Sequence, residues 1–298
     1  MRSDLFNRAA WQLRNRANVQ VYAWMPVLAF DLDPGIQRVV RWDPLTQATS
    51  IDPDQYARLS PFDPKARKQI IEIYEDLSRQ AIFDGIIFHD DAVLTDFEDA
   101  GADALQAYRA AGLPDDIGAL RANPEVMARW ARFKSRYLVE FTLELADHVK
   151  AIRGPRIKTA RNIFAAPIMN PEAETWFAQN LDDFLGAYDW TAPMAMPLME
   201  GVRSADAPAW LDRMVDIVAT RPGALNRTVF ELQARDWRST ASHKEGRPLA
   251  TAQIAGWMKR LQARGARNFG YYPDDFLQDH PALETIRPAI SDSWYPVR

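Results

Sequence analysis

Six short stretches of the chain are apolar, β-branched or aromatic almost without a break: Val19–Met25, Phe83–His89, Ile157–Ile163, Trp190–Met196, Thr228–Leu232 and Asn268–Tyr272. Each has the length of a buried strand. Between them an apolar residue recurs every three or four positions, the period of a helix packed on one face. Asp63-Pro64 predicts an N-cap followed by proline at the first helical position, with Ile70, Ile73, Tyr74 and Leu77 on one face. Asn123-Pro124-Glu125 opens a long helix carrying Met127, Trp130, Tyr137, Phe141, Leu145 and Val149. Trp176, Phe177, Leu181, Phe184 and Leu185 predict a third helix, and Trp210, Leu211, Met214 and Val218 a fourth. Thr251 is expected to cap a fifth, with Ile254, Trp257, Met258 and Leu261 inward and Gly265 as its stop. Strands alternating with helices, without hairpin signals, imply parallel pairing through right-handed crossovers.

The connecting segments are unequal. Residues 31–62 follow the first strand and hold Asp33-Pro34, Asp43-Pro44 and Asp52-Pro53, a series of turns without helical period. Residues 91–123 after the second strand are also long, whereas the return from helix to strand at Arg153–Arg156 is short. Elaboration after strands rather than before them is the asymmetry of a TIM-like (β/α) barrel. No G-x-G-x-x-G follows a strand, so a dinucleotide fold has little support. Without internal repeats or low-complexity linkers, the expectation is a single domain over residues 1–298.

Composition narrows the function. The net charge of -4 argues against a nucleic-acid footprint, which needs a basic face. No window has the length of a membrane span, and MRSDLFNRAAWQLRNRA lacks the apolar core of a signal peptide. The absence of cysteine excludes disulfides, thiolate metal sites and a cysteine nucleophile, but does not choose a compartment. The 10 Trp, 9 Tyr and 14 Phe mostly fill a core, yet such faces also hold sugar rings.

The most informative stretch is FDGIIFHDDAVLTDFED. An apolar strand ends in His89-Asp90-Asp91, and Asp96, Glu98 and Asp99 follow with no basic residue among them. Clustered carboxylates repel one another unless something compensates. The C-terminal end of a barrel strand is where chemistry sits. Asp90 and Asp91 are either a cap or loop salt bridge, or a general acid whose neighbours oppose its ionisation. A zinc site is poorly supported, because the other histidines are dispersed: His148 in a helix, His243 and His280 in polar loops. An oxygen-only Ca²⁺ or Mg²⁺ site from Asp91, Asp96 and Glu98 stays open, though its spacing matches no standard loop. No metal or cofactor is expected. Glu231, in TVFELQARDW, is either paired with Arg235 or a second catalytic carboxylate opposite Asp90. At the third strand, Lys158 and Arg161 offer charge, and Asn162 an uncharged polar group, to acids or sugar hydroxyls. Tyr271, Tyr272 and Asp274 end the last strand in a pattern suited to sugars, although a tyrosine pair also suits a core. Trp24 is a stacking platform or barrel filler, while Met194 and Met196 read as core. No G-x-S-x-G elbow supports a serine triad.

Taken together, FDGIIFHDDAVLTDFEDA, WARFKSRYLVEFTLELADHVKAIRGPRIKTARNIFA, YDWTAPMAMPLMEGV, FELQARDW and NFGYYPDDF resemble the C-terminal domain of the PgaB family, the periplasmic poly-β-1,6-N-acetyl-D-glucosamine deacetylases. The resemblance runs over essentially the whole chain. It implies a barrel that binds partly de-N-acetylated poly-β-1,6-N-acetyl-D-glucosamine and hydrolyses it, without the family's metal-dependent deacetylase domain. Because the chain starts close to Asp4-Leu5-Phe6, the barrel is expected to lack its first two strand–helix units. The resemblance makes Asp90 the catalytic acid and places His89, Asp91, Asp96, Arg161, Asn162, Trp237, Tyr271 and Tyr272 along the groove. It also implies a periplasmic location and an outer-membrane export pore as a partner. The reading is an endo-acting glycoside hydrolase in which Asp90 protonates the departing C6 oxygen. Either Glu231 or the substrate's own N-acetyl carbonyl then meets the oxocarbenium-like centre. The rival is a non-catalytic platform that guides polymer to export. An acidic groove would further favour the ammonium of de-N-acetylated sugar.

Overall fold

The computed structural model describes residues 4–32, 35–239, 244 and 246–290. The Asp33-Pro34 turn and His243 lie outside the described residues. The chain forms two compact units: Met1–Arg161 with Glu172–Asp189, and Asn162–Pro171 with Trp190–Arg298.

The first unit carries three parallel strands, β1 (Tyr22–Met25), β2 (Gly85–Phe88) and the start of β3 (Lys158–Ile163), in the order β1-β2-β3. Helix α1 (Leu5–Ala17) precedes them, and α2 (Pro64–Gln80) makes the crossover from β1 to β2. Asp63 caps α2 as expected, accepting the Lys65 N–H at 2.8 Å, with Pro64 at the first position. Ile70 and Tyr74 are buried on its inner face. The Tyr74 hydroxyl donates to the Pro26 carbonyl at 2.7 Å, so the ring's burial leaves no polar atom unpaired. Phe88 lies 6.1 Å from the Tyr74 ring and 6.0 Å from Tyr188, between strand and helices. Burial of an aromatic ring of this size contributes roughly 1.5–3 kcal/mol.

The segment after β2 is less irregular than its sequence suggests, for it contains α3 (Ala102–Ala110) and α4 (Ile117–Ala122). Helix α5 (Pro124–Arg153) follows, capped by Asn123 through Glu125 N and Val126 N and stopped at Gly154, whose φ of 92° suits glycine. The predicted third helix is broken. Glu174–Phe177 ends where Ala178 turns left-handed at φ 49°, and Asn180 caps a new helix, Leu181–Ala187. Trp176 is consequently exposed, and the apolar spacing spans two short helices rather than one.

The second unit carries β4 (Trp190–Ala195), β5 (Val229–Gln233) and β6 (Asn268–Tyr272), again parallel, with β5 central. Glu231 is in register with Met194 on one side and Gly270 on the other. Helix Ala207–Ala219 buries Leu211, Met214 and Val218. Helix Thr251–Gln262 buries Ile254, Trp257, Met258 and Leu261. Thr251 is not its cap: Ala250 takes that position, and the Thr251 hydroxyl accepts the Ala282 N–H at 3.1 Å. All six predicted strands are present, and every pairing among them described here is parallel.

Candidate active site

In the first unit the site grows from the end of β2. His89 is hydrogen-bonded through its backbone N–H to the Met25 carbonyl at 2.9 Å, which places it level with the end of β1. Asp91 turns inward with 0% of its side chain exposed. Its carboxylate accepts the backbone N–H groups of Val27, Leu28 and Ala29 at 2.6–3.1 Å. Charge-assisted bonds of this kind satisfy a buried carboxylate and fix the strand-end turn after β1. His89 Nδ1 lies 3.2 Å from Asp91 Oδ1 and 2.9 Å from Asp90 Oδ1. The Asp90 contact is a charge contact rather than an aligned bond, because Oδ1 of Asp90 is buried and receives no hydrogen bond. Asp90 retains 16% of its side-chain surface, and among the described residues its ion-pair partner is His89, not an arginine.

Burial disfavours a charged imidazole, but the Asp90 and Asp91 carboxylates outweigh it and push the His89 pKa up to about 9. Two aromatic rings flank this imidazole. Trp24 lies 4.9 Å from it and Tyr56 6.0 Å, with 44% and 60% of their surfaces exposed. Trp24 is therefore no barrel filler. Tyr56 escaped the sequence reading; its only signal is a lone aromatic in the turn-rich segment after β1.

The remaining acids of the motif leave the cluster. Asp96 pairs with Arg121, Nη2 at 2.9 Å and Nε at 3.1 Å, and Arg121 also lies 3.8 Å above the Phe97 ring. Glu98 forms a buried ion pair with Arg58. Asp99 accepts from the Ser60 hydroxyl and from the backbone of Gly101 and Val40, although burial still raises its pKa. Lys134, fully buried on α5, donates to the carbonyls of Thr95 and Glu98. The compensating cations come from distant sequence, so the five carboxylates do not form one negative patch. Asp96, expected along the groove, is the acid paired with Arg121. The oxygen-only cation site also dissolves, because Asp91, Asp96 and Glu98 each have separate partners.

Two residues of β3 are corrected as well. Lys158 is its first residue, in register with Gly85 at the start of β2, and pairs on the surface with Asp189 at 2.7 Å. At about 3.3 Å per residue it lies roughly 13 Å along the strands from the acids. Arg161 is buried; it donates to the Tyr188 hydroxyl at 2.9 Å and the Ala92 carbonyl at 3.1 Å, with Phe184 against its guanidinium. It supports the segment behind Asp91 instead of facing a ligand. Successive strand residues point to opposite faces, so Asn162 turns the other way.

In the second unit Asn162 donates to Glu231 Oε2 at 2.7 Å. Asn162 is buried and Glu231 half-buried, which gives the carboxylate an uncharged donor at mid-strand. The Arg235 guanidinium donates to the Gly246 carbonyl at 3.4 Å. At the last residue of β6, the Tyr272 ring stacks beside Trp237 at 6.1 Å and 25°. Burial and the neighbouring Asp274 raise the Tyr271 phenol above its ordinary pKa. Tyr272 and Asp274 are exposed.

A scaffold of parallel strands and crossover helices, with carboxylates and exposed aromatic faces at strand ends, has the architecture of a TIM-like glycoside hydrolase. The chain belongs to GHL13, the hypothetical glycosyl hydrolase family 13, whose sequence profile matches residues 1–272. It is 51% identical over 296 residues to the poly-beta-1,6-N-acetyl-D-glucosamine N-deacetylase of Escherichia coli K12, covering 99% of this chain and 44% of that protein. The chain thus spans less than half the length of that relative. The PgaB (BpsB) glycoside hydrolase domain from Bordetella bronchiseptica superposes with a TM-score of 0.87 at 45% identity, over 98% of this chain and 81% of that one. A beta-galactosidase from the psychrophilic Marinomonas ef1 shares the fold alone, with a TM-score of 0.61 at 12% identity over 95% of this chain and 50% of that one. No helix among the described residues is long and apolar enough to cross a membrane.

Proposed function

We propose that this chain is an endo-acting glycoside hydrolase for partly de-N-acetylated poly-β-1,6-N-acetyl-D-glucosamine, with Asp90 as its general acid. One observation carries the reading: Asp90 stands at a strand end, partly exposed, unpaired with any arginine among the described residues, and beside the exposed face of Trp24 through His89. Asp90 gives its proton to the departing C6 oxygen as the glycosidic bond breaks. Trp24 and Tyr56 offer flat apolar faces to sugar rings. Two groups are candidates for the oxocarbenium-like centre, the substrate's N-acetyl carbonyl and Glu231. Azide added to Glu231→Ala tells them apart: rescue that yields a glycosyl azide of inverted anomeric configuration marks Glu231 as the nucleophile. The substrate assignment rests on the name of the Escherichia coli relative, and the Bordetella bronchiseptica domain supports the hydrolase reading. A periplasmic location and an outer-membrane export pore belong to the same proposal.

The test is Asp90→Asn, assayed on partly de-N-acetylated polymer by product size and by ligand affinity. Turnover is expected to fall on the order of 10²–10⁴-fold, the range for loss of general acid catalysis, with affinity within about threefold. A guiding platform would show no turnover in the unmodified protein. Asp90→Asn that cleaves normally would remove the acid assignment.

A further inference from the structure

The strand-end motif contains a histidine whose position a groove-lining role does not explain. His89 Nδ1 faces two carboxylates at once, Asp91 Oδ1 at 3.2 Å and Asp90 Oδ1 at 2.9 Å. Asp91 cannot swing, because three backbone N–H groups of Val27, Leu28 and Ala29 hold it and none of its side chain is exposed. The imidazole is therefore held at Nδ1 by the anchored Asp91, whose carboxylate and backbone N–H both lie 3.2 Å from that nitrogen, and the same nitrogen touches the buried oxygen of Asp90. The 16% of the Asp90 side chain that is exposed does not include this oxygen.

We infer that His89 is a positioning residue for the acid step: Asp91 fixes its ring, and the imidazolium charge beside Asp90 stabilises the carboxylate that Asp90 becomes. This rests on the assignment of Asp90 as general acid. The Asp90 O–H bond breaks, its proton joins the glycosidic oxygen, and the C–O bond's electron pair leaves with that oxygen. The negative charge left on Asp90 forms beside a cation already in place, so no solvent has to reorganise around it. The imidazole keeps its own proton throughout. The groups facing it are Asp90 and Asp91 from its own segment, with the neutral Trp24 ring and the Tyr56 phenol ring from β1 and the segment after it. The pKa of about 9 includes the pull of an ionised Asp90; while Asp90 holds its proton, the anchored Asp91 carboxylate is the group that supports the imidazolium.

The test compares the unmodified chain with Asp90→Asn, His89→Asn and His89→Gln on partly de-N-acetylated poly-β-1,6-N-acetyl-D-glucosamine. Both His89 variants keep an N–H donor and lose the charge. Their kcat is expected to fall on the order of 10²-fold with KM within about twofold. The alkaline limb of the pH–rate profile should also move to higher pH, because a neighbouring cation no longer favours the ionised acid. A merely structural histidine would leave that limb where it was. In parallel, ¹⁵N NMR of the unmodified chain, with His89 assigned by elimination using variants of His148, His243 and His280, should find a charged imidazole at pH 7.5. A neutral His89 at that pH, kcat within threefold of the unmodified chain, or an unmoved limb would each overturn the inference. Full turnover by Asp90→Asn would instead remove the reading beneath it. If neither His89 variant folds, the NMR titration decides alone.

Discussion

Arg58 and Glu98 form an ion pair 2.9 Å long with 2% and 1% of their side chains exposed. Arg58 comes from the segment after β1 and Glu98 from the segment after β2. Arg58 also donates to the Val93 carbonyl, and the second Glu98 oxygen accepts the Thr95 N–H at 3.1 Å. Removing one partner strands a charge away from water. Arg58→Met is expected to cost about 3–5 kcal/mol in urea unfolding, and Arg58→Met with Glu98→Leu to recover most of it. A double variant as unstable as the single one would show that the pair contributes net stability beyond mutual neutralisation.

Lys134 gives a pH signature. Burial lowers its pKa to about 7 despite the attraction of Glu98, Asp96 and Asp99. In the unfolded chain the ordinary value is near 10.4. Between those two values the unfolded chain binds the extra proton, so raising the pH favours the folded state. Below about pH 7 both states are protonated and the penalty for the buried charge is complete. Relative to Lys134→Met, the unmodified protein should gain up to about 1.4 kcal/mol per pH unit from about pH 7 towards 10. Denaturant midpoints at pH 6, 8 and 9.5 measure this. A constant difference between the two proteins would rule it out.

The aromatic faces and the surface lysine should separate in binding experiments. Trp24→Ala and Tyr56→Ala each remove one exposed ring beside His89. At about 1 kcal/mol per face, each should weaken polymer binding roughly fivefold by calorimetry. Lys158→Ala breaks only the surface pair with Asp189 and should leave binding and turnover within about twofold. A Lys158 effect as large as that of Trp24 would contradict its placement at the start of β3.

The strands were legible because burial on both faces leaves uninterrupted apolar runs, as in Phe83–His89. Helix starts at Asp63-Pro64 and Asn123-Pro124 were legible because cap chemistry is local. Local signals failed where a long-range partner decided the outcome. Thr251 looks like a cap, but Ala282 claims its hydroxyl. Nothing near Ala178 announces the left-handed turn that splits the third helix. At the candidate site, the motif at residues 89–91 stood out from sequence, and the structure brings His89, Asp90, Asp91 and Trp24 together in the first unit. The neutralisation of Asp96 and Glu98 was invisible, since Arg121 and Arg58 lie 25 and 40 residues away. Arg161 and Asn162 looked alike as polar groups at a strand end. The pleat alone sends one into the core and the other to Glu231.

Asp91 fastens residues 27–29 in place while its neighbour Asp90 is left partly accessible. Adjacent aspartates therefore sit under different constraints, one anchored in the architecture and one proposed for chemistry. Saturation mutagenesis across this tripeptide, scored only by lost activity, would merge misfolded chains with intact but inert ones. Each variant needs a soluble-yield measurement beside its rate before any role is assigned to the side chain it replaced.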